Sequence, residues 1–434
     1  MNLPFTKHTL ANGLDVLLHE DRACPIVAVN VWYHVGSKNE RPGHTGFAHL
    51  FEHLMFEGSQ HYDRGYFQPL QGAGATLNGS TNADRTNYWE VVPTGALELA
   101  LWMESDRMGY LLPALTEAKF SNQRDVVLNE RRQNYENRPY GLAPMALLAA
   151  LFPPDHPYHW TTIGEIADLE AVGLDEVQAF FRRYYHPANA SIALAGDFDS
   201  ERALELVDAH FGEIERGEEV DPVRVDASLP GEVRIQFEDR VELPRLYLTW
   251  LTPAMFAEGD ADLDLATDLL ANGKTSRLYR RLVFDERLAT DVSASQNSRE
   301  MGGYAQVTAT AAPGHTLGEL ERAILEEIAR LSSDGPTEAE IERGRVQAES
   351  QFVFRLQTVG GFGGKSDQLN AYNTFIGDPG YFERDLERYE VVTAASLQQA
   401  VIRYLDPGRR VTLSIVPRGR ASLAAPDSEL AVVS

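Results

Sequence analysis

Residues 26–35 run Ile26-Val27-Ala28-Val29-Asn30-Val31-Trp32-Tyr33-His34-Val35. After a loop the chain continues Phe47-Ala48-His49-Leu50-Phe51-Glu52-His53-Leu54. The first stretch is apolar at 27, 29, 31, 33 and 35, the period of two that marks one face of a half-buried strand. The loop from Gly36 to Gly46 is rich in glycine and polar residues. In the segment after it, Phe47, Leu50, Leu54 and Phe51 gather toward one side at helical spacing. Thr45 is the expected N-cap and Gly58 the expected C′ stop. Strand, loop and short capped helix in that order predict a rigid helix packed beside a sheet.

His49 and His53 are four residues apart, so they stand one turn apart on one helix face. Two neutral imidazoles placed that way can hold one Zn²⁺. Glu52 lies close to the same face, within reach of a water on such an ion. Histidine is scarce, 12 in 434 residues, so a pair at this spacing around a glutamate is a specific signal rather than two incidental surface residues. The order His-x-x-Glu-His is the reverse of the commoner His-Glu-x-x-His and is the inverted-zincin peptidase signature. A catalytic zinc needs three protein ligands and an open position. Residues 116–130 contain no Gly or Pro and read as a long helix, in which Glu130 shares a face with Val127, Val126 and Gln123. On spacing alone Glu130, Glu117 and Glu136 are all candidates.

With these motifs the chain resembles the pitrilysin-type metallopeptidases, the family of insulin-degrading enzyme and the mitochondrial processing peptidase. In that family a ligand glutamate follows the second histidine by about 77 positions; here that position is Glu130. Val126-Val127-Leu128-Asn129-Glu130-Arg131-Arg132 is similar to the family's run there. Asn12-Gly13-Leu14 with Val16 resembles its opening strand, and Tyr184, Tyr185, Pro187, Asn189 and Gly196-Asp197 its helix-to-strand junction. Leu77-Asn78-Gly79-Ser80-Thr81 with Thr86-Asn87-Tyr88 resembles its substrate-side edge. The resemblance implies one Zn²⁺ per chain on His49, His53 and Glu130, with Glu52 as general base. It also implies a peptide added as a β-strand along Thr76, Leu77, Asn78 and Gly79. Many members carry a second glutamate seven residues before the ligand glutamate; Gln123 stands there, which hydrogen-bonds but adds no charge.

The rest of the chain bounds these expectations. Formal net charge is −25, which argues against nucleic acid and anionic membrane as partners. One cysteine, Cys24, excludes an intrachain disulfide. Met1-Asn2-Leu3-Pro4-Phe5 shows no secretory signal. The longest apolar run, near Met145–Phe152, is too short to span a bilayer and ends at Pro153-Pro154. A cytoplasmic protein is expected as written, or a periplasmic one if a signal has been removed.

The pattern breaks between Gly212 and Glu232, a polar stretch punctuated by Pro and Gly. The expected division is a zinc-binding domain over 1–217, a linker over 218–232 and a homologous zinc-less domain over 233–434. Leu246-Tyr247-Leu248-Thr249-Trp250-Leu251 mirrors the strand, and Leu263–Leu270 mirrors the motif helix, with Gly273 standing for Gly58. At that offset of 215, His49, Glu52 and His53 fall on Asp264, Thr267 and Asp268, so the second copy is unarmed. The expected fold is α+β: two similar domains related by internal duplication, each a largely antiparallel sheet with helices packed on one side.

The family's second copy usually carries an Arg and a Tyr seven apart after a Ser-Arg-Leu run, here Ser276-Arg277-Leu278-Tyr279. The two slots hold Val283 and Thr290, with Arg281 and Arg287 nearby but out of register. A homologous zinc-less subunit supplying the pair, or a homodimer, is therefore the expected partner. Gly360-Gly361-Phe362-Gly363-Gly364-Lys365 ends like a phosphate loop, but Val359 fills the opening glycine slot and a helix precedes it; a hinge or lining loop is the better reading. His156 and His159 lie in a proline-bounded loop without further ligands. The function expected is a zinc-dependent endopeptidase acting on peptides or unfolded segments. The alternative is a non-catalytic structural or peptide-binding subunit of a heteromer.

Overall fold

The computed structural model describes residues 3–431. Met1 and Asn2, part of the segment read for a signal, lie outside the described residues. Two compact units divide the chain, and they interleave in sequence. One comprises the chain up to Glu130, Thr162–Val223 and Gln351–Arg384; the other comprises Arg131–Thr161, Arg224–Ser350 and the chain from Asp385 onward. Residues 215–230 have no regular structure.

The first unit is built on six strands: β1 (Thr6–Thr9), β2 (Asp15–Glu20), β3 (Ile26–Tyr33), β4 (Thr76–Thr81), β5 (Thr86–Pro93) and β6 (Ala190–Gly196). Their spatial order is β1-β2-β6-β3-β5-β4, and only β2 and β6 run parallel. The second unit has β7 (Val233–Asp239), β8 (Arg245–Leu251), β9 (Ala289–Asn297), β10 (Tyr304–Ala311), β11 (Val411–Pro417) and β12 (Glu429–Leu430). Their order is β12-β7-β11-β8-β10-β9. Apart from the outermost strands β1 and β12, the two sheets match strand for strand. β8 takes the place of β3, and the parallel pair β7–β11 takes that of β2–β6. This is the expected α+β architecture in two similar copies.

Strand β3 shows why the helical cover is more than one-sided. Val27, Val29, Val31 and Tyr33 point to the face that holds the motif helix, Phe47–Leu54, and the helices Leu97–Tyr110 and Ser200–Phe211. The alternate residues Ala28, Asn30 and Trp32 are also buried, at 0%, 0% and 4% exposure. Their face is covered by the helix Lys365–Ile376, which packs on β6, β3 and β2, with Leu369 against Leu17 and Ala193. So β3 is buried on both sides rather than half-buried, and the second cover comes from far downstream. In the second unit Leu246, Leu248 and Trp250 of β8 join a core with the helices Asp260–Ala271 and Leu317–Asp334. Among the described residues, that core draws none from the helix Ala143–Leu151, which packs on β11 and β8. Each half of the sequence thus lends one helix to the other unit.

The glycine-rich turn is packed on a sheet rather than free as a hinge. A Cβ on Gly360 would sit 2.5 Å from Ala28 Cβ and 2.7 Å from Val91 Cγ2. Lys365 pairs with Asp21. Among the described residues, no helix is long and apolar enough to cross a membrane.

Candidate metal centre

The motif helix starts without the expected Thr45 cap. Gly46 holds the N-cap position at φ 87°, a conformation glycine adopts without strain. The orphan amides at this end are met by Glu40, whose carboxylate accepts from Gly46 N–H at 3.0 Å and Ala48 N–H at 2.8 Å. Thr45 is engaged elsewhere: its hydroxyl donates to Asp168 at 2.7 Å and accepts from Glu165 N–H at 2.8 Å. The helix ends at Leu54. Phe56 N–H and Glu57 N–H then close tight turns onto His53 and Leu54, and Gly58, at φ 100°, redirects the chain. Phe47, Leu50, Phe51 and Leu54 are buried, and Phe51 packs against Phe180, Phe181 and Tyr185. With its apolar side fixed, the helix holds its histidines on the other.

The helix Glu117–Arg131 brings the third residue. Glu130 Oε2 lies 3.4 Å from His53 Nε2 and 3.7 Å from His49 Nε2, and the two imidazoles are 4.9 Å apart at their centroids. One ligand atom from each of the three residues falls within 4.8 Å of the others, and no other such group of three occurs among the described residues. Four ligands at about 2.0–2.2 Å around a tetrahedral Zn²⁺ stand roughly 3.3–3.6 Å from one another, close to the two distances from Glu130, so the donor set fits the ion. Neither Glu117 nor Glu136 belongs to the cluster; Glu136 instead pairs with Arg131 at 2.8 Å.

The electrostatics suit a cation. Burial, then the neighbouring His53, push His49 down to about 4, which leaves it neutral at neutral pH with a lone pair to offer. Burial also opposes charge on His53, but its hydrogen bond to Glu130 and the charges of Glu52 and Glu130 hold it above its ordinary value. Burial raises Glu52, with Thr81 and His53 pulling the other way. A carboxyl raised in this manner is a better proton acceptor than an exposed one. Gln123 donates to Glu57, so a carboxylate does stand beside the expected neutral position. Glu57 was not foreseen; its place three residues past the motif helix was the available signal.

Thr76, Leu77, Asn78 and Gly79 lie on β4, whose one sheet neighbour among the described residues is β5. Asn82 N–H donates to Arg85 O at 3.0 Å, closing the β4–β5 turn with a hydrogen-bonded pair. By antiparallel alternation the backbone groups of Leu77, Gly79 and Thr81 therefore face away from β5. Asn78 Oδ1 accepts from Gly79 N–H at 2.8 Å. Gly79 itself is buried; a Cβ there would meet Tyr88 at 3.1 Å and Phe56 at 3.2 Å.

In the second unit Asp264, Thr267 and Asp268 lie on the helix Asp260–Ala271. Val283 is in a π-helical turn and Thr290 in β9. Arg281 is tied to Glu286, Glu326 and Glu327. His156 Nδ1 accepts from Tyr158 N–H at 3.0 Å and its Nε2 lies 3.3 Å from Val225 O, while His159 Nδ1 lies 2.7 Å from Phe152 O, so both rings are engaged by backbone groups.

Comparison with known proteins bears on this geometry. Residues 15–156 match the family described as Insulinase (Peptidase family M16), and residues 171–347 match the Peptidase M16 inactive domain. An uncharacterized zinc protease of Mycobacterium leprae is 30% identical over 353 residues, 80% of this chain and 78% of the relative. Zinc protease PqqE of Helicobacter pylori is 29% identical over 356 residues, 81% of this chain and 80% of the relative. The crystal structure of a protease from Helicobacter pylori aligns with a TM-score of 0.89 at 25% identity, covering 96% of this chain and 100% of that one. The chain belongs to peptidase family M16, the insulinase family, as the motif and its surroundings led one to expect. The half described as inactive is the half without the histidine pair.

Proposed function

We propose that this chain is a zinc-dependent endopeptidase whose ion is held by His49, His53 and Glu130. The observation that carries this reading is the convergence of those three side chains beside a half-buried Glu52, on the unit that also presents an edge strand. A zinc ion bound there would supply Lewis acidity toward a scissile carbonyl and a water of lowered pKa. Glu52 takes a proton from the attacking water and returns it to the leaving amine. Peptide lies along β4, where the outward N–H and C=O groups of Leu77 and Thr81 and the C=O of Gly79 pair with its backbone, and Asn78 Oδ1, which holds the Gly79 N–H, gives way to it. Main-chain pairing favours extended or unfolded segments and asks little of their sequence.

The second unit favours a further reading, in which a homologous zinc-less subunit, or a second copy of the chain, completes the site. Its motif-like helix carries no histidine, and Arg281, the arginine nearest the expected slot, is committed to three carboxylates. The competing role is a structural subunit without activity. Zinc analysis of the purified chain followed by a peptidase assay tests all three. Stoichiometric zinc with peptide cleavage that Glu52→Gln abolishes without loss of zinc is the expected result. Absence of zinc, or normal cleavage by Glu52→Gln, would overturn the reading, and full activity of the isolated monomer would remove the partner.

A further inference from the structure

On the face of the first sheet turned away from the motif helix, a chain of hydrogen bonds runs from the helix Lys365–Ile376 to the end of β4. One oxygen of Asp367 accepts from Trp32 Nε1 at 2.9 Å, Asn87 Nδ2 at 3.2 Å and Asn30 Nδ2 at 3.3 Å. The other accepts from Gly363 N–H at 2.7 Å. Asn87 turns its carbonyl oxygen to the Ser80 hydroxyl, which donates to it at 2.7 Å. Arg85 closes the chain: Nη1 donates to Ser80 O at 2.9 Å and to Ser80 Oγ at 2.6 Å, and the guanidinium lies 5.1 Å from the Trp32 ring. The Ser80 hydroxyl thus gives one hydrogen bond and takes another, as its chemistry allows.

This bracing falls on the strand that most needs it. A strand with one neighbour is held from one side only. Pairing with an incoming backbone requires its outward groups at fixed spacing, and a strand that frays must be ordered again at each binding event. Ser80 is an inward-pairing residue flanked by the outward-facing Gly79 and Thr81. Holding Ser80 by its carbonyl and its hydroxyl fixes both neighbours.

We propose that Arg85 is a positioning residue for peptide binding. Through Ser80 it pins the turn end of β4 to the Trp32–Asn87–Asp367 layer, so that Gly79 and Thr81 are pre-set to pair with an incoming strand. The inference rests on the peptidase reading above, and the experiment separates the two.

The test measures binding of a fluorescent extended peptide of about ten residues to the Glu52→Gln chain by anisotropy, with and without a second change. Using that background also removes any effect of Arg85 on the charge of Glu52, which lies within its electrostatic reach. Arg85→Ala should weaken binding about tenfold, Ser80→Ala about threefold, and Arg85→Lys by an intermediate factor, because an ammonium keeps the charge but not the fixed fork. Zinc content should stay unchanged in all three. In the otherwise wild-type chain, Ser80→Ala, which keeps the charge of Arg85 beside Glu52, should raise KM for the same peptide with kcat within about twofold, a split that general loosening of the fold would not give. If Arg85→Ala does not fold, Ser80→Ala, which removes one oxygen, carries the test. Equal affinity in Arg85→Ala and Ser80→Ala overturns the proposal, as does loss of zinc in either. Weakened binding in the Glu52→Gln background, together with no cleavage by the zinc-loaded chain that keeps Glu52, upholds it while removing the peptidase reading.

Discussion

The motif helix Phe47–Leu54 and the helix Asp260–Ala271 occupy corresponding places in two sheets of the same strand order, yet their polar faces do opposite things. Both begin at a glycine in the left-handed region, Gly46 and Gly259, 213 residues apart. Both are followed by a positive-φ glycine, Gly58 and Gly273, 215 residues apart. The second copy therefore carries two extra residues, and the match depends on which end is aligned. From the start, His49, Glu52 and His53 fall on Asp262, Leu265 and Ala266; from the end, on Asp264, Thr267 and Asp268. Neither alignment leaves a histidine. Where the first helix gathers two imidazoles and a distant carboxylate, the second holds a half-buried Asp264, which accepts from Tyr389 Oη at 2.6 Å. Burial pushes Asp264 up to about 7, against the pull of that tyrosine. One scaffold thus supports a cluster that invites a cation in one copy and a carboxyl inclined to keep its proton in the other.

The largest effect expected comes from making the first helix like the second. His49→Asp with His53→Asp should abolish zinc retention and lower peptide turnover by about a thousandfold or more. Elemental analysis decides it: zinc kept at one per chain would show that the helix face, not its imidazoles, selects the ion. Glu130→Gln should also lose metal, and full occupancy there would move the third ligand elsewhere. Next in size is a pH effect confined to the second unit. Between about pH 4 and 7 Asp264 is protonated when folded and ionised when unfolded, so unfolding releases a proton and stability falls as pH rises through that window. The limit is on the order of 4 kcal/mol. Urea midpoints read by tryptophan fluorescence at pH 5 and pH 8 should differ in the wild type and draw together in Asp264→Asn. An unchanged difference would show that Asp264 ionises normally. Smallest is Tyr389→Phe, which removes one hydrogen bond and should cost about 1 kcal/mol while raising Asp264 further. A lowered Asp264 would contradict the pairing.

What the sequence disclosed and what it hid divide along one physical line, the distance over which a signal acts. The motif helix, its apolar side and the strand before it were legible because period and residue type are local. Glu130 was not legible from periodicity, which left Glu117 and Glu136 open; only resemblance joined residues 77 positions apart that the fold brings within 3.4 Å. The helix start was misassigned to Thr45 because a neighbouring hydroxyl is the usual solution, whereas the cap comes from Glu40 and Thr45 is consumed by Asp168 and Glu165. The glycine run at 360–364 left a hinge and a lining loop both open, since nothing local says that Ala28 and Val91 lie against it. A clue did exist in β3. Ala28, Asn30 and Trp32 alternate with the core-facing residues and carry no charge, as a face with its own cover would require.

The lending of helices has a consequence for biosynthesis. When a ribosome has delivered residues up to the end of the irregular stretch at 230, all six strands of the first sheet exist, but one of its faces lacks its covering helix until Leu369 and Asp367 emerge well over a hundred residues later. The nascent chain must carry that apolar surface exposed meanwhile, a state prone to aggregation and to chaperone capture. A fragment stopped at 230 should be insoluble despite holding His49, Glu52, His53 and Glu130, and supplying 351–384 as a separate peptide should rescue it.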